Sequence, residues 1–203
     1  MIAVLLPLLA ACGNTGGPDL ASTVVWPFQS NPDATAEEEE APAEPQLELT
    51  LGRRRANAVL IQHQGESRMW RTPGDVVVAT ERGRVVGTAG LAQMVMATRF
   101  DGPDPLDDPE PLLRRSAGAR RLVDLSGRNR EPSGMRFGVV FECRLRAFET
   151  EEENVLLVEE RCRVPRLSPV LNRFWVDAQS RRVLAAEQWI GPGLPPLVLD
   201  FPE

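Results

Sequence analysis

Two apolar alternations run toward each other across a short acidic segment, and they limit the folds open to this chain more than any other feature. Phe137, Val139, Phe141, Cys143, Leu145 and Ala147 recur at every second position, and Leu156, Val158, Cys162 and Val164 keep the same period. A period of two puts side chains on one face of a strand. With the acidic turn Glu149 to Asn154 between them, a hairpin centred between Glu152 and Glu153 sets Cys143 opposite Cys162. The same register sets Phe141 opposite Val164 and Ala147 opposite Val158, all on one side.

The rest of the chain beyond Gln46 reads the same way. Short stretches rich in Val, Ile and Phe are separated by Gly, Pro, Asp and Asn at intervals that suit antiparallel strands. Leu47 to Leu51 alternates; Ala58 to Gln62 and Arg68 to Arg71 flank a turn at Gln64 to Ser67. Asp75 to Thr80 and Arg84 to Thr88 flank Glu81-Arg82-Gly83, where glycine supplies the positive φ of a tight turn. Arg173 to Val176 and Arg182 to Ile190 form a second hairpin about Asp177 to Ser180, and Leu197 to Phe201 closes the chain. Leu91, Val95 and Thr98 have helical spacing, so 91–100 reads as a short helix or irregular turn. Asp101 to Pro111 is a loop by composition; its prolines break the spacing a calcium loop needs, which makes its acids solvated ones. About ten strands with at most one or two short helices predict an all-β antiparallel barrel-like or sandwich domain.

The 203 residues are 42% hydrophobic, and no run of about 18 apolar residues is present to span a bilayer as a helix. All 23 basic residues are Arg, which reflects nucleotide composition rather than phosphate binding. Residues 1–45 carry seven acids and no Arg, so the body is near neutral and its one basic cluster, Arg53 to Arg55, stands alone. Nucleic-acid binding needs a strongly basic domain, and none is expected here.

Residues 1–11 form an apolar run ending in small residues, the shape of a secretory signal, though without its positively charged start. Leu9-Ala10-Ala11-Cys12-Gly13 is similar to a bacterial lipobox, in which the cysteine is acylated and becomes the new amino terminus. Three acyl chains anchor stably, since two already suffice. Gly13 after the cysteine favours the outer membrane, with the folded part facing the periplasm. Residues 12–45 are then an acidic Pro/Ala/Glu-rich tether, interrupted by Trp26 and Phe28, and residues 46–203 are the periplasmic domain.

With Cys12 lipidated in an oxidising compartment, a Cys143–Cys162 disulfide is the economical reading, two buried free thiols being the alternative. A metal site is disfavoured because His63 is the only His and lies on another strand. No nucleophile elbow, zinc-protease motif or phosphate loop occurs, and no enzyme activity or cofactor is expected. Asp75, Glu142, Glu159, Glu160 and Glu187 are the carboxylates from which a glycosidase pair would have to be drawn. Trp70, Trp175 and Trp189 are candidate platforms for a glycan or a partner protein; for Trp175, between Phe174 and Val176, core filling is the favoured reading.

Asn172-Arg173-Phe174-Trp175-Val176-Asp177 followed by Glu187-Gln188-Trp189-Ile190-Gly191 resembles the ending of the YjbF/GfcB lipoproteins, the group 4 capsule family. Met69-Trp70, the Gly83-Arg84-Val85-Val86 hairpin, Gly90-Leu91 and Cys12 fit the same resemblance, which runs in order over about Leu47 to Leu199. It implies a barrel-like periplasmic domain on an outer-membrane lipid anchor, made alongside exopolysaccharide or capsule secretion proteins that include an outer-membrane β-barrel partner. The long acidic tether and the two body cysteines depart from the family's pattern. The expected function is an accessory of polysaccharide assembly or export acting through a partner protein or the glycan. The alternative is a lipid or lipoprotein carrier with an open apolar cavity.

Overall fold

The apolar alternations become strands of a single antiparallel sheet in a computed structural model that describes residues 45–202 apart from 128 and 130. The strands are β1 (Gln46–Leu51), β2 (Arg54–Gln64), β3 (Ser67–Arg71), β4 (Val77–Glu81), β5 (Arg84–Ala89) and β6 (Gln93–Phe100). They continue as β7 (Ala117–Gly127), β8 (Arg136–Glu149), β9 (Val155–Arg163), β10 (Val170–Asp177), β11 (Val183–Gln188) and β12 (Leu197–Asp200). Spatial order runs β5-β4-β3-β2-β1-β12-β11-β10-β9-β8-β7-β6, so the first and last strands pair with each other. The two edge strands, β5 and β6, are consecutive in the chain, and the Val95 N–H donates to Thr88 Oγ1 between them at 3.0 Å. The result is an all-β, nearly closed twelve-stranded barrel. Its one α-helix among the described residues is the single-turn α1 (Glu110–Arg114).

The expected count of about ten strands falls short by β6 and β7, and each hides for a physical reason. In β6 the ladder skips Met96, pairing Val95 with Leu125 and Ala97 with Asp124. That bulge buries Met94 and Val95 consecutively and exposes Met96, so the period of two is lost and the segment imitates a helical pattern. In β7, Arg121, Asp124 and Ser126 occupy buried positions, so the strand carries no apolar alternation.

The β8–β9 ladder has the expected register, with Cys143 opposite Cys162 and Ala147 opposite Val158. Phe137 is the exception on that face. Two residues of β8, Phe137 and Gly138, oppose the single Asp124 of β7, since Val123 pairs with Val139 and Leu125 with Arg136, and Gly138 at φ 59° forms the bulge. The Gly138 N–H donates to Asp124 Oδ1 at 2.7 Å, and Phe137 is turned out to 72% exposure.

The interior is filled by Leu47, Trp70, Phe141, Leu145, Phe174 and Leu199, among others. Gln188 reaches across it from β11, accepting from the Val85 N–H at 3.0 Å and donating to Gly83 O at 2.8 Å. This tie holds the β4–β5 turn, in which Arg82 and Gly83 both have positive φ, as a two-residue hairpin loop requires. A Cβ on Gly83 would lie 2.3 Å from Val183 Cβ. Gly83→Ala is therefore expected to cost at least about 1–3 kcal/mol by overpacking, read as a lower urea midpoint with an unchanged slope. An unchanged midpoint would mean that the hairpin does not pack on β11.

Candidate functional site

Alternation along β9 puts Glu160 on the same face as Val158 and Cys162, so a carboxylate points into the barrel. It meets two arginines there. Arg84 Nη1 donates to Glu160 Oε2 at 3.2 Å, and Arg121 Nη2 lies 3.3 Å from the same oxygen. Asn172 on β10 donates its amide to that carboxylate and accepts the Trp189 N–H at 2.8 Å. Arg84 is also held by both oxygens of Asp104, at 2.6 and 3.0 Å. Two cations and two anions thus balance. The guanidiniums lie over aromatic rings, Arg84 between Phe100 (4.9 Å) and Phe174 (4.7 Å) and Arg121 over Phe141 (5.0 Å).

Burial alone would push the Glu160 carboxyl up, but the charges of Arg121 and Arg84 and the Asn172 amide outweigh it and hold it below its ordinary value. Burial likewise opposes the charge on both arginines. For Arg84 two carboxylates more than compensate, and its pKa is raised. Arg121 has one contacting carboxylate, a neighbouring cation and an Nε without a hydrogen-bond partner, and its pKa is lowered.

The same cluster adjoins the disulfide. Cys143 and Cys162 are bonded across β8 and β9 with Cα atoms 3.9 Å apart, and their sulfurs and a Glu160 oxygen lie within 4.8 Å of one another. As ligands for a metal these groups are already engaged, the sulfurs with each other and the carboxylate with two hydrogen-bond donors and two guanidinium charges.

The outer face of β8 to β11 carries a different pattern. Phe148, Leu157, Trp175 and Ala185 stand opposite one another in register as one outward row. In the next row Arg146, Glu159, Arg173 and Glu187 alternate in charge. Arg173 bonds Glu187 at 2.8 Å and Glu159 at 3.4 Å, and Arg146 lies over the Phe148 ring at 5.5 Å. The hydrogen bond from Arg161, helped by Arg173, holds the Glu159 carboxyl below its ordinary range. Glycoside hydrolysis needs an acid with a raised pKa, and neither Glu159 nor Glu160 is one.

The structure separates the three tryptophans. Trp70 is 1% exposed, with its Nε1–H on Thr80 Oγ1 at 3.1 Å, and cannot serve as an outer platform. Trp189 packs against the core beside Phe141, ring centroids 5.3 Å apart. Trp175, read as core, is the one on the outside, half-buried in the outward row; Phe174 and Val176 point in, so the residue between them points out. His63 is exposed at the end of β2. Cys12, Trp26 and Phe28 lie outside the described residues. The acids at 101–108 are not simply solvated, since Asp101 pairs with Arg120, Asp104 with Arg84, Asp107 with Arg82 and Asp108 with Arg181.

Sequence reasoning missed the interior cluster, although Glu160 gave a signal: it sits at an inward position between Val158 and Cys162, where an ionised side chain demands partners. The C-terminal motif segments prove to be its frame. Asn172, Phe174 and Gln188 face inward as amide, ring and tie, while Arg173 and Glu187 pair outside.

A family model described as group 4 capsule polysaccharide lipoprotein gfcB, YjbF matches residues 21–201. Among solved structures, the barrel is similar to the hypothetical lipoprotein YmcC from Escherichia coli (K12). The TM-score is 0.63 and the identity 22%, over 79% of this chain and 84% of that one. No curated protein matches the chain.

Proposed function

The chain belongs to the group 4 capsule polysaccharide lipoprotein family, and from that premise we propose that it is an outer-membrane accessory of exopolysaccharide or capsule assembly and export. Cys12 carries the lipid anchor, the barrel faces the periplasm, and the protein works by contact with a secretion partner or the glycan rather than by catalysis. The observation that carries this reading is a division of labour between the two faces of the sheet. Inside, Trp70, Phe141, Phe174 and the Arg84–Glu160–Arg121 cluster occupy the space that a lipid carrier would keep empty. Outside, the half-buried Trp175 stands in an apolar row flanked by paired charges, the setting of an interface anchor. An outer-membrane β-barrel encoded with polysaccharide genes is the partner this reading favours.

The test is complementation of a deletion strain with the wild-type, Cys12→Ser and Trp175→Ala chains, measuring exported polysaccharide. A hot-spot tryptophan is worth about 2 kcal/mol or more of binding. Trp175→Ala is thus expected to cut export severely while the protein accumulates and melts normally, and Cys12→Ser is expected to do the same by releasing it from the membrane. Unchanged export in the deletion strain would overturn the reading, as would lipid co-purifying in molar amounts with the barrel.

A further inference from the structure

Four arginines, Arg68, Arg82, Arg181 and Arg182, line one recess at the end of the barrel where the β2–β3, β4–β5 and β10–β11 turns gather. The recess has a volume of about 370 Å³, within the ~300–1,000 Å³ common for small-molecule sites. Leu106, Val183 and Phe201 give it apolar walls, and among the described residues that line it four arginines face two acids, Glu66 and Asp107.

Two features set this recess apart from a chance cluster of surface charge. Arg82 and Arg181 both have left-handed backbones, at φ 50° and 60°. A side chain with a Cβ pays for that conformation with about 1–2 kcal/mol that glycine would not. The β4–β5 loop itself calls for it at Arg82, and in both turns it fixes the direction in which the side chain leaves the backbone. Arg68, exposed at the end of β3 on the same side of the strand as Trp70, has no ion-pair partner among the described residues.

The chain itself shows what these guanidiniums hold. Asp107 pairs with Arg82 at 2.8 Å and the adjacent Asp108 with Arg181 at 3.3 Å, while Arg182 donates to the Pro202 carbonyl at 3.2 Å. A planar guanidinium fork matches a carboxylate in shape as well as charge. An aromatic and aliphatic wall beside such forks suits the apolar face of a pyranose ring.

We propose that this recess binds a carboxylate-bearing saccharide, with Arg68 and Arg182 taking its carboxylates and Asp107 and Asp108 acting as built-in competitors for Arg82 and Arg181. The inference rests on the polysaccharide reading above and names the chemical class of glycan. It predicts opposite signs for two sets of exposed side chains: loss of the arginines weakens binding, and loss of the acids strengthens it.

The experiment is calorimetric titration of the full chain carrying Cys12→Ser with tri-galacturonic acid, beside neutral maltotriose and inorganic phosphate. The acidic trisaccharide is expected to bind at least about tenfold more tightly than either control, a difference of about 1.4 kcal/mol. Arg68→Ala with Arg182→Ala should lose about tenfold or more, and Asp107→Asn with Asp108→Asn should gain several-fold, a result that unfolding cannot imitate. No heat with tri-galacturonic acid up to millimolar concentration overturns the inference. So does equal binding of maltotriose or phosphate, or indifference to both variant pairs. These outcomes are separable from failure of the export reading: absent binding with export still lost on deletion sinks the saccharide site alone, and unchanged export on deletion sinks the export reading whatever the titration gives.

Discussion

Glu160→Ala is expected to lower the unfolding free energy by about 3–5 kcal/mol, because it leaves Arg84 and Arg121 buried with only Asp104 to face them. The size of the effect comes from what remains, not from what is removed. Replacing the charged side chains together, as Arg84→Met, Arg121→Met and Glu160→Leu, should therefore recover most of the loss, with Asp104 released toward water at the rim. Urea titration of the three states decides it. Equal loss in the single and triple variants would mean that the cluster stabilises through net attraction rather than through mutual compensation.

The same carboxylate gives the fold an acid limit. Its folded pKa lies below the ordinary value of 4.5, so its contribution is complete above that pH and disappears as pH falls through the lower folded value. Protonated Glu160 would leave two cations in the interior with one anion between them. Wild-type stability should fall steeply below pH 4.5, and Glu160→Gln, already destabilised at neutral pH, should show a flatter acid limb. Parallel limbs would assign the acid sensitivity to other carboxylates.

The fold was legible wherever burial follows a period of two, and it was lost where the interior is polar or the ladder bulged. The β8–β9 hairpin could be registered to the residue because each inward position but one is apolar. That one, Glu160, is the centre of the interior cluster. Its partners were out of reach for a different reason: Arg84 is 76 positions away, on a strand at the far edge of the sheet order, and nothing local to Arg84 or Arg121 marks them as inward. Trp175 is the opposite case, since an apolar run read as core is split by the pleat, and the largest side chain of the run goes outside. The arginine recess is made by three separate turns and the 101–108 segment, and only the closure of the barrel brings them together.

Removing the disulfide is expected to be the other large perturbation. Cys143 and Cys162 are 19 residues apart, and closing a loop of that length restricts the unfolded chain by about 3 kcal/mol on the chain-entropy model. Cys143→Ala with Cys162→Ala should lower the unfolding free energy by about that amount, and reduction of the wild-type chain should bring its melting temperature close to that of the variant. The bond also lies against Glu160 within the filled interior, so its loss and that of the carboxylate are not independent. If alanines at 143 and 162 leave space into which the unpaired Arg121 relaxes, the combined variant with Glu160→Ala will lose less than the two changes do separately. Strict additivity would instead confine the disulfide's effect to the unfolded chain. The cross-strand bond would then restrain the hairpin without shaping the charged interior that the hairpin carries.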